Sequence, residues 1–123
     1  MDLDRRNQWL RGVLDLCVLA MLAREESYGY ELAQSLDQAG LGTIQGGTLY
    51  PVLLRLQRIG AVTVRWQEGD GGPARKYYRI TDAGQQALAR DGRDWIAFAQ
   101  TVSTLLEPAP PTASSRPSEG ARR

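Results

Sequence analysis

The hydrophobic period of this chain switches from helical to alternating over one short stretch, and that switch constrains the fold more than any other feature. Up to about residue 60 the apolar residues recur at helical spacing. Then Val62, Val64 and Trp66 alternate with Thr63, Arg65 and Gln67, and Tyr77-Tyr78-Arg79-Ile80 follows as a second β-favouring stretch. Between them Gly69-Asp70-Gly71-Gly72-Pro73 is strong turn chemistry. These residues predict a β-hairpin with a flexible tip flanked by basic residues, set in an otherwise helical chain.

Upstream, Leu10, Val13, Leu14, Cys17 and Met21 follow the i, i+3, i+4, i+7 pattern and predict a first helix from Trp9 to Ala23. Leu16, Leu19 and Ala20 fill much of its other side. A helix apolar nearly all round must be covered on more than one face, so this one is expected to pack on its own domain and on a partner subunit. A second helix is expected to start at Ser27, acting as the cap, with Glu31 near the positive end of its dipole and Leu32, Ala33 and Leu36 as its buried stripe. Gly40 and Gly42 end it. Thr43-Ile44 then reads as an extended link and Gly46-Gly47 as a turn. Thr48 reads as the cap of a third helix, with Pro51 in its first turn and Gly60 just past its end. The stripe Leu49, Leu53, Leu56 leaves Tyr50, Arg55 and Arg58 available to a partner. Thr81 or Asp82 caps a last helix reaching about Leu106 through Leu88, Trp95, Phe98, Ala99, Val102 and Leu106, with Gly84 and Gly92 as weak points.

Beyond Leu106 the run Glu107-Pro108-Ala109-Pro110-Pro111, followed by Ser, Gly, Ala and Arg, cannot build a packed core and is expected to be disordered. The expected organisation is therefore residues 1–80, a helical domain with the hairpin; 81–106, a C-terminal dimerisation helix; and 107–123, a disordered tail. The fold class is mainly α with a small β-hairpin, α+β.

Several function classes find no support in the residues. Of 123 residues none is histidine, which removes the commonest metal ligand, general base and sensor of near-neutral pH together. The one thiol, Cys17, lies in the apolar run Val13, Leu14, Leu16, Val18, Leu19 and reads as a buried structural group. There is no Walker-type phosphate loop, so no catalytic residue, metal or cofactor is expected. The N-terminus opens acidic, and Asp15 interrupts the first apolar run well short of the roughly 18 residues a membrane span needs, so a cytoplasmic protein is expected. The net charge is +1, but from Leu41 to Thr81 six basic residues face only Glu68 and Asp70. The positive charge is concentrated around the third helix and the hairpin.

Helix, helix, turn, helix and a Gly-tipped hairpin is the order of a winged helix-turn-helix. The wording of the segments is more specific. With Gly29-Tyr30-Glu31-Leu32, Gly47-Thr48-Leu49-Tyr50-Pro51, Leu53, Arg55, Leu56 and Gly60, then Arg75-Lys76-Tyr77-Tyr78 with Thr81 and Gly84, the chain from about Leu10 to Trp95 closely resembles the PadR family of transcriptional regulators. The single terminal helix is similar to the short branch of that family. The resemblance implies double-stranded DNA as the partner and a homodimer held by the first and last helices. It also implies repression of the regulator's own operon or a neighbouring one, through an inverted repeat.

The residues expected to meet DNA are Gly47, Thr48, Tyr50, Pro51 and Arg55 on the third helix, and Gly72, Arg75 and Lys76 on the wing. The start of the third helix offers free N–H groups and a positive dipole end to a phosphate, with hydroxyls from Thr48 and Tyr50. Arg55 suits a base edge or a phosphate, and Arg75 and Lys76 suit phosphates or a minor groove. Bland readings stand beside these. Tyr50 can pack against the wing, Arg58 and Arg79 read as solvated charges, and Gly46 and Gly47 as turn residues. Trp95 falls where the resembling multidrug sensors stack flat aromatic drugs between subunits; with Phe98 and Trp9 it is a candidate for an apolar or aromatic effector, or for plain dimer packing. The competing function is a winged helix that meets an acidic protein instead of DNA.

Overall fold

The computed structural model describes residues 2–109. Most of the tail expected to be disordered lies outside the described residues. Helices dominate: α1 (Leu3–Leu10), α2 (Leu14–Arg24), α3 (Gly29–Leu36), α4 (Gly46–Arg58) and α5 (Asp82–Leu106) accompany a small sheet of β1 (Ser27–Tyr28), β2 (Val62–Gln67) and β3 (Arg75–Ile80). The three strands are antiparallel in the order β1-β3-β2. This is the helix-rich fold with a small hairpin that the change of period predicts, with one strand more.

Some local expectations need correction. The first helix is broken: α1, capped by the Asp2 carboxylate accepting from the Asp4 N–H at 3.0 Å, stops at Leu10, and α2 begins at Leu14. Gly12 supplies a residue of low helix propensity in the bend, which folds Leu10 back onto the core beside Leu14. Ser27 does not cap α3. It is extended, paired with Tyr78, and its buried hydroxyl donates to Glu31 Oε1 at 2.9 Å. An open edge of β3 is available there, and a two-stranded ribbon is marginal without further packing, so ladder bonds take this residue in preference to a cap.

The core gathers Leu14, Val18, Leu19 and Leu22 of α2, Leu32 and Leu36 of α3, Leu49, Val52, Leu53 and Leu56 of α4, and Val62 and Tyr78 of the sheet. Cys17, expected to be buried, is half-buried at the margin, where desolvation pushes its thiol pKa up. The chain leaves α3 through the helical segment Asp37–Leu41, kinked where Gly40 adopts φ 107, a conformation open to glycine at little cost. Gly60, at φ 78, does the same after α4.

Helix α5 is seated on this body by its first turn. The Thr81 hydroxyl accepts from the Gly84 N–H at 3.0 Å and donates to the Gly60 carbonyl at 2.6 Å, while the Thr81 N–H donates to the Ala61 carbonyl at 3.0 Å. Farther along, Trp95, Ile96, Phe98, Val102, Leu105 and Leu106 are exposed. Among the described residues no helix is long and apolar enough to cross a membrane.

Candidate nucleic-acid interface

Helix α4 starts two residues before the expected cap. Gln45 is the N-cap residue, its carbonyl accepting from the N–H groups of both Thr48 and Leu49 at 2.9 Å, so Gly46 and Gly47 are helical and Thr48 is the third residue of the helix. Ile44, buried just before, anchors the entry. Gln45 makes no side-chain cap, leaving the first amides of α4 and its positive dipole end without a side-chain partner.

The buried seam Leu49, Val52, Leu53, Leu56 determines what the other sides present. Directly opposite, at i, i+4, i+7 and i+11, stand Gly47, Pro51, Leu54 and Arg58, all exposed. Among the described residues Arg58 pairs with no carboxylate. It reads from sequence as a solvated charge; the geometry puts it at the C-terminal end of the exposed ridge, one turn beyond Leu54, which the sequence does not single out. Both follow from the spacing once Gly47 is taken as helical.

Thr48 and Arg55, seven residues apart, share the flank that faces α1 and α2. There a cleft of about 380 Å³ is lined by Asn7, Arg11 and Asp15 on one side and Thr48, Pro51 and Arg55 on the other. Arg55 is not free within it: its Nε donates to Asp15 Oδ2 at 3.0 Å and its Nη2 to Asp15 Oδ1 at 2.7 Å. The hydrogen bond and the charge of Asp15 together raise the Arg55 pKa further. Nothing in the sequence links positions forty residues apart, although an aspartate interrupting an apolar helical run was visible.

Tyr50 occupies the other flank. Its ring lies against Gly46 and on Gly29 of α3, where a Cβ would come within 2.7 Å of Cζ and nearer still to the hydroxyl. Gly29 is thus a notch for the tyrosine, whose ring is nevertheless half exposed. Burial, with a smaller contribution from the Tyr50 phenol, pushes the Tyr78 phenol pKa up.

The wing has two faces of different character. Register pairs Val62 with Ile80, Val64 with Tyr78 and Trp66 with Lys76, so these six share the face turned to the core. The Lys76 ammonium lies 5.4 Å from the Tyr78 ring and 6.0 Å from the Trp66 ring, and Trp66 is exposed. The opposite face carries Thr63, Arg65, Gln67, Arg75, Tyr77 and Arg79, joined by Tyr28 of β1. Arg75 stacks over the Tyr28 ring at 4.5 Å, Arg65 over the Tyr77 ring at 4.7 Å, and the two tyrosines meet edge to face at 5.4 Å. Arg65 also donates to Glu26 Oε1, which lowers the Glu26 pKa and raises that of Arg65. Arg75 and Lys76, grouped in the sequence reading, therefore point to opposite faces. Lys76 lies on the side that leads through Tyr78 toward Tyr50; Arg75 does not. Gly72 sits at the exposed tip, next to Gly71 at φ 74.

The remaining candidates, Trp9 on α1 and Trp95 and Phe98 on α5, are exposed, and among the described residues they form no aromatic pair with one another.

The model of the transcriptional regulator PadR-like family matches residues 18–90, from the body of α2 into α5. A transcriptional regulator of Mycobacterium tuberculosis is 37% identical over 95 residues, covering 77% of this chain and 87% of that protein. The crystal structure of a PadR-like transcriptional regulator from Bacillus cereus superimposes with a TM-score of 0.73 at 38% identity, over 83% of this chain and 99% of that one. A PadR family transcriptional regulator from Eggerthella lenta gives a TM-score of 0.74 at 38% identity, over 83% of this chain and 88% of the other.

Proposed function

The chain belongs to the PadR-like family of transcriptional regulators, and we propose that it acts by binding double-stranded DNA as a homodimer, with α4 in a major groove and the wing along the neighbouring backbone. The observation that carries this reading is the exposed side of α4. A helix whose buried half is fully committed to Leu49, Val52, Leu53 and Leu56 presents Gly47, Pro51, Leu54 and Arg58 outward, the last with no ion pair among the described residues. Thr48 with Arg55 and Tyr50 stand on its flanks, and Lys76 on the α4 side of the wing extends the same positive surface. Arg75 and Gly72 belong to the outer face and tip, placed for a more distant phosphate.

Dimerisation follows from the apolar residues the chain leaves uncovered. Trp95, Phe98, Val102 and Leu105 recur at spacings of three and four along α5, a seam that a second copy of the same helix can bury. Leu3 and Trp9 of α1 are exposed in the same way and add the first helix to that interface. The dimer presents α4 twice, which suits an inverted repeat with half-sites about one helical turn apart. Repression of its own or a neighbouring operon is the regulatory outcome we propose, with release by an apolar or flat aromatic molecule held between subunits at Trp95 and Phe98.

Footprinting on the DNA upstream of its own gene tests the reading. Protection of two half-sites is expected, with affinity falling steeply as salt rises, and with Lys76→Ala flattening the salt slope by about one counterion. No protection at low salt would overturn the proposal. A Trp95→Ala dimer that still releases DNA on addition of the same aromatic molecule would remove the effector site.

A further inference from the structure

We propose that Asp15 is a positioning residue for DNA contact, fixing the Arg55 guanidinium so that its free edge meets a pair of acceptor atoms on the duplex. The inference rests on the DNA-binding reading above and names a residue outside the segment matched by the family model.

The geometry is side-on. Guanidinium carries five N–H donors in one plane. Asp15 takes the Nε–H through Oδ2 at 3.0 Å and one Nη2–H through Oδ1 at 2.7 Å. That leaves one Nη1–H and the second Nη2–H as a parallel pair at the end of the group, spaced for two acceptors on one rigid partner, as in a phosphate or the N7 and O6 edge of guanine, while the other Nη1–H points back toward Cδ. Arg55 retains 54% of its side-chain surface exposed and Asp15 38%, so the free edge is accessible. The two residues come from α2 and α4, both anchored in the core by leucines on either side of them, so the carboxylate holds the fork in one orientation relative to the whole domain. An unheld arginine would have to lose its side-chain freedom on binding; here much of it is already lost.

Simple charge counting gives the opposite sign. A carboxylate beside a DNA-binding helix repels phosphates, so its removal should tighten binding. Positioning requires that removal weaken it, and only while Arg55 is present. That difference in sign makes the inference testable.

Binding is measured for wild type, Asp15→Ala, Asp15→Asn, Arg55→Ala and the Asp15→Ala/Arg55→Ala double variant. The probes are a duplex enriched by the wild-type protein from a random-sequence pool and a scrambled duplex of the same composition. Asp15→Ala is expected to lose roughly tenfold in affinity, the low end for a bidentate contact. The loss should vanish in the Arg55→Ala background. Thermal midpoints should stay close to wild type, since an exposed pair adds little to stability, and Asp15→Asn supplies a second, isosteric test. A loss confined to the enriched duplex assigns the free edge to guanine, and an equal loss on both duplexes assigns it to phosphate; either supports the proposal. Tighter or unchanged binding by Asp15→Ala, or a loss that persists without Arg55, overturns it. A random pool from which the wild-type protein enriches no duplex overturns the DNA-binding reading and this inference with it.

Discussion

Gly84→Ala is a substitution for which helix propensity and packing give opposite signs, and the structure decides between them. Gly84 is the third residue of α5. By propensity alone, alanine in a helix is better than glycine by about 0.5–1 kcal/mol. At this position, however, a Cβ would lie 2.7 Å from Ile80 Cγ1 and closer still to the Ala61 carbonyl oxygen. Ile80 can shift, but the carbonyl cannot move without disturbing the bond it accepts from the Thr81 N–H and the entry into β2. Overpacking of this kind costs about 1–3 kcal/mol, and a weakened hydrogen bond adds about 1 kcal/mol. The net expectation is a destabilisation of about 1–3 kcal/mol, and each kcal/mol lowers the midpoint of a domain this size by about 4–8 °C. Gly92, in the same helix with nothing among the described residues beyond its neighbouring helix backbone within 4 Å of a Cβ, serves as the control, and Gly92→Ala should be neutral or stabilising. Thermal unfolding of the three proteins by circular dichroism at one protein concentration reads this directly. A Gly84→Ala midpoint at or above wild type would refute the close-approach argument.

Three further outcomes are expected. Gly47 has open space around it, so Gly47→Ala should leave the thermal midpoint unchanged while weakening DNA binding, because a methyl then stands on the outward ridge of α4; unchanged affinity in gel shifts would show that the backbone does not approach the duplex there. The half-buried Cys17 thiol, with its pKa raised by desolvation, should react with iodoacetamide at neutral pH much more slowly than in the urea-unfolded chain, and equal rates by mass spectrometry would contradict its placement. Glu26 has a lowered pKa through its hydrogen bond to Arg65, so the tie between β2 and the end of α2 is complete above the ordinary glutamate value of about 4.3 and is lost as pH falls through the lowered one. The stability difference between wild type and Glu26→Gln in urea titrations should therefore shrink on acidification; a constant difference would count against the tie.

The elements most legible from sequence were those whose signal is local. The alternation of Val62, Val64 and Trp66, the Gly-rich tip and the Leu49, Leu53, Leu56 stripe each announce an element within a few residues, because backbone period and side-chain direction are coupled over that distance. Where two local rules competed, the sequence reading went astray. Ser27 is a good cap and also a tolerable strand residue, and only the open edge of β3, supplied fifty residues later, selects the strand. Thr48 is a better cap than Gln45 by composition, but the chain enters α4 at Gln45 after the buried Ile44, which moves the start of the helix and brings Gly47 into line with Leu54 and Arg58.

By itself, then, the order of residues determined the class of fold, the family wording and the concentration of positive charge between Leu41 and Thr81, all of which depend on neighbours in the chain. Only the tertiary structure decided which of those charges are free. Arg55 is held by Asp15, Arg65 by Glu26, Arg75 lies over Tyr28 on the far face of the wing, and Arg58 has no ion pair among the described residues. The reason is physical: a side chain's charge can be read from its identity, but its partner is chosen by distance, and these distances exist only once α2, α4 and the sheet have packed around a common core.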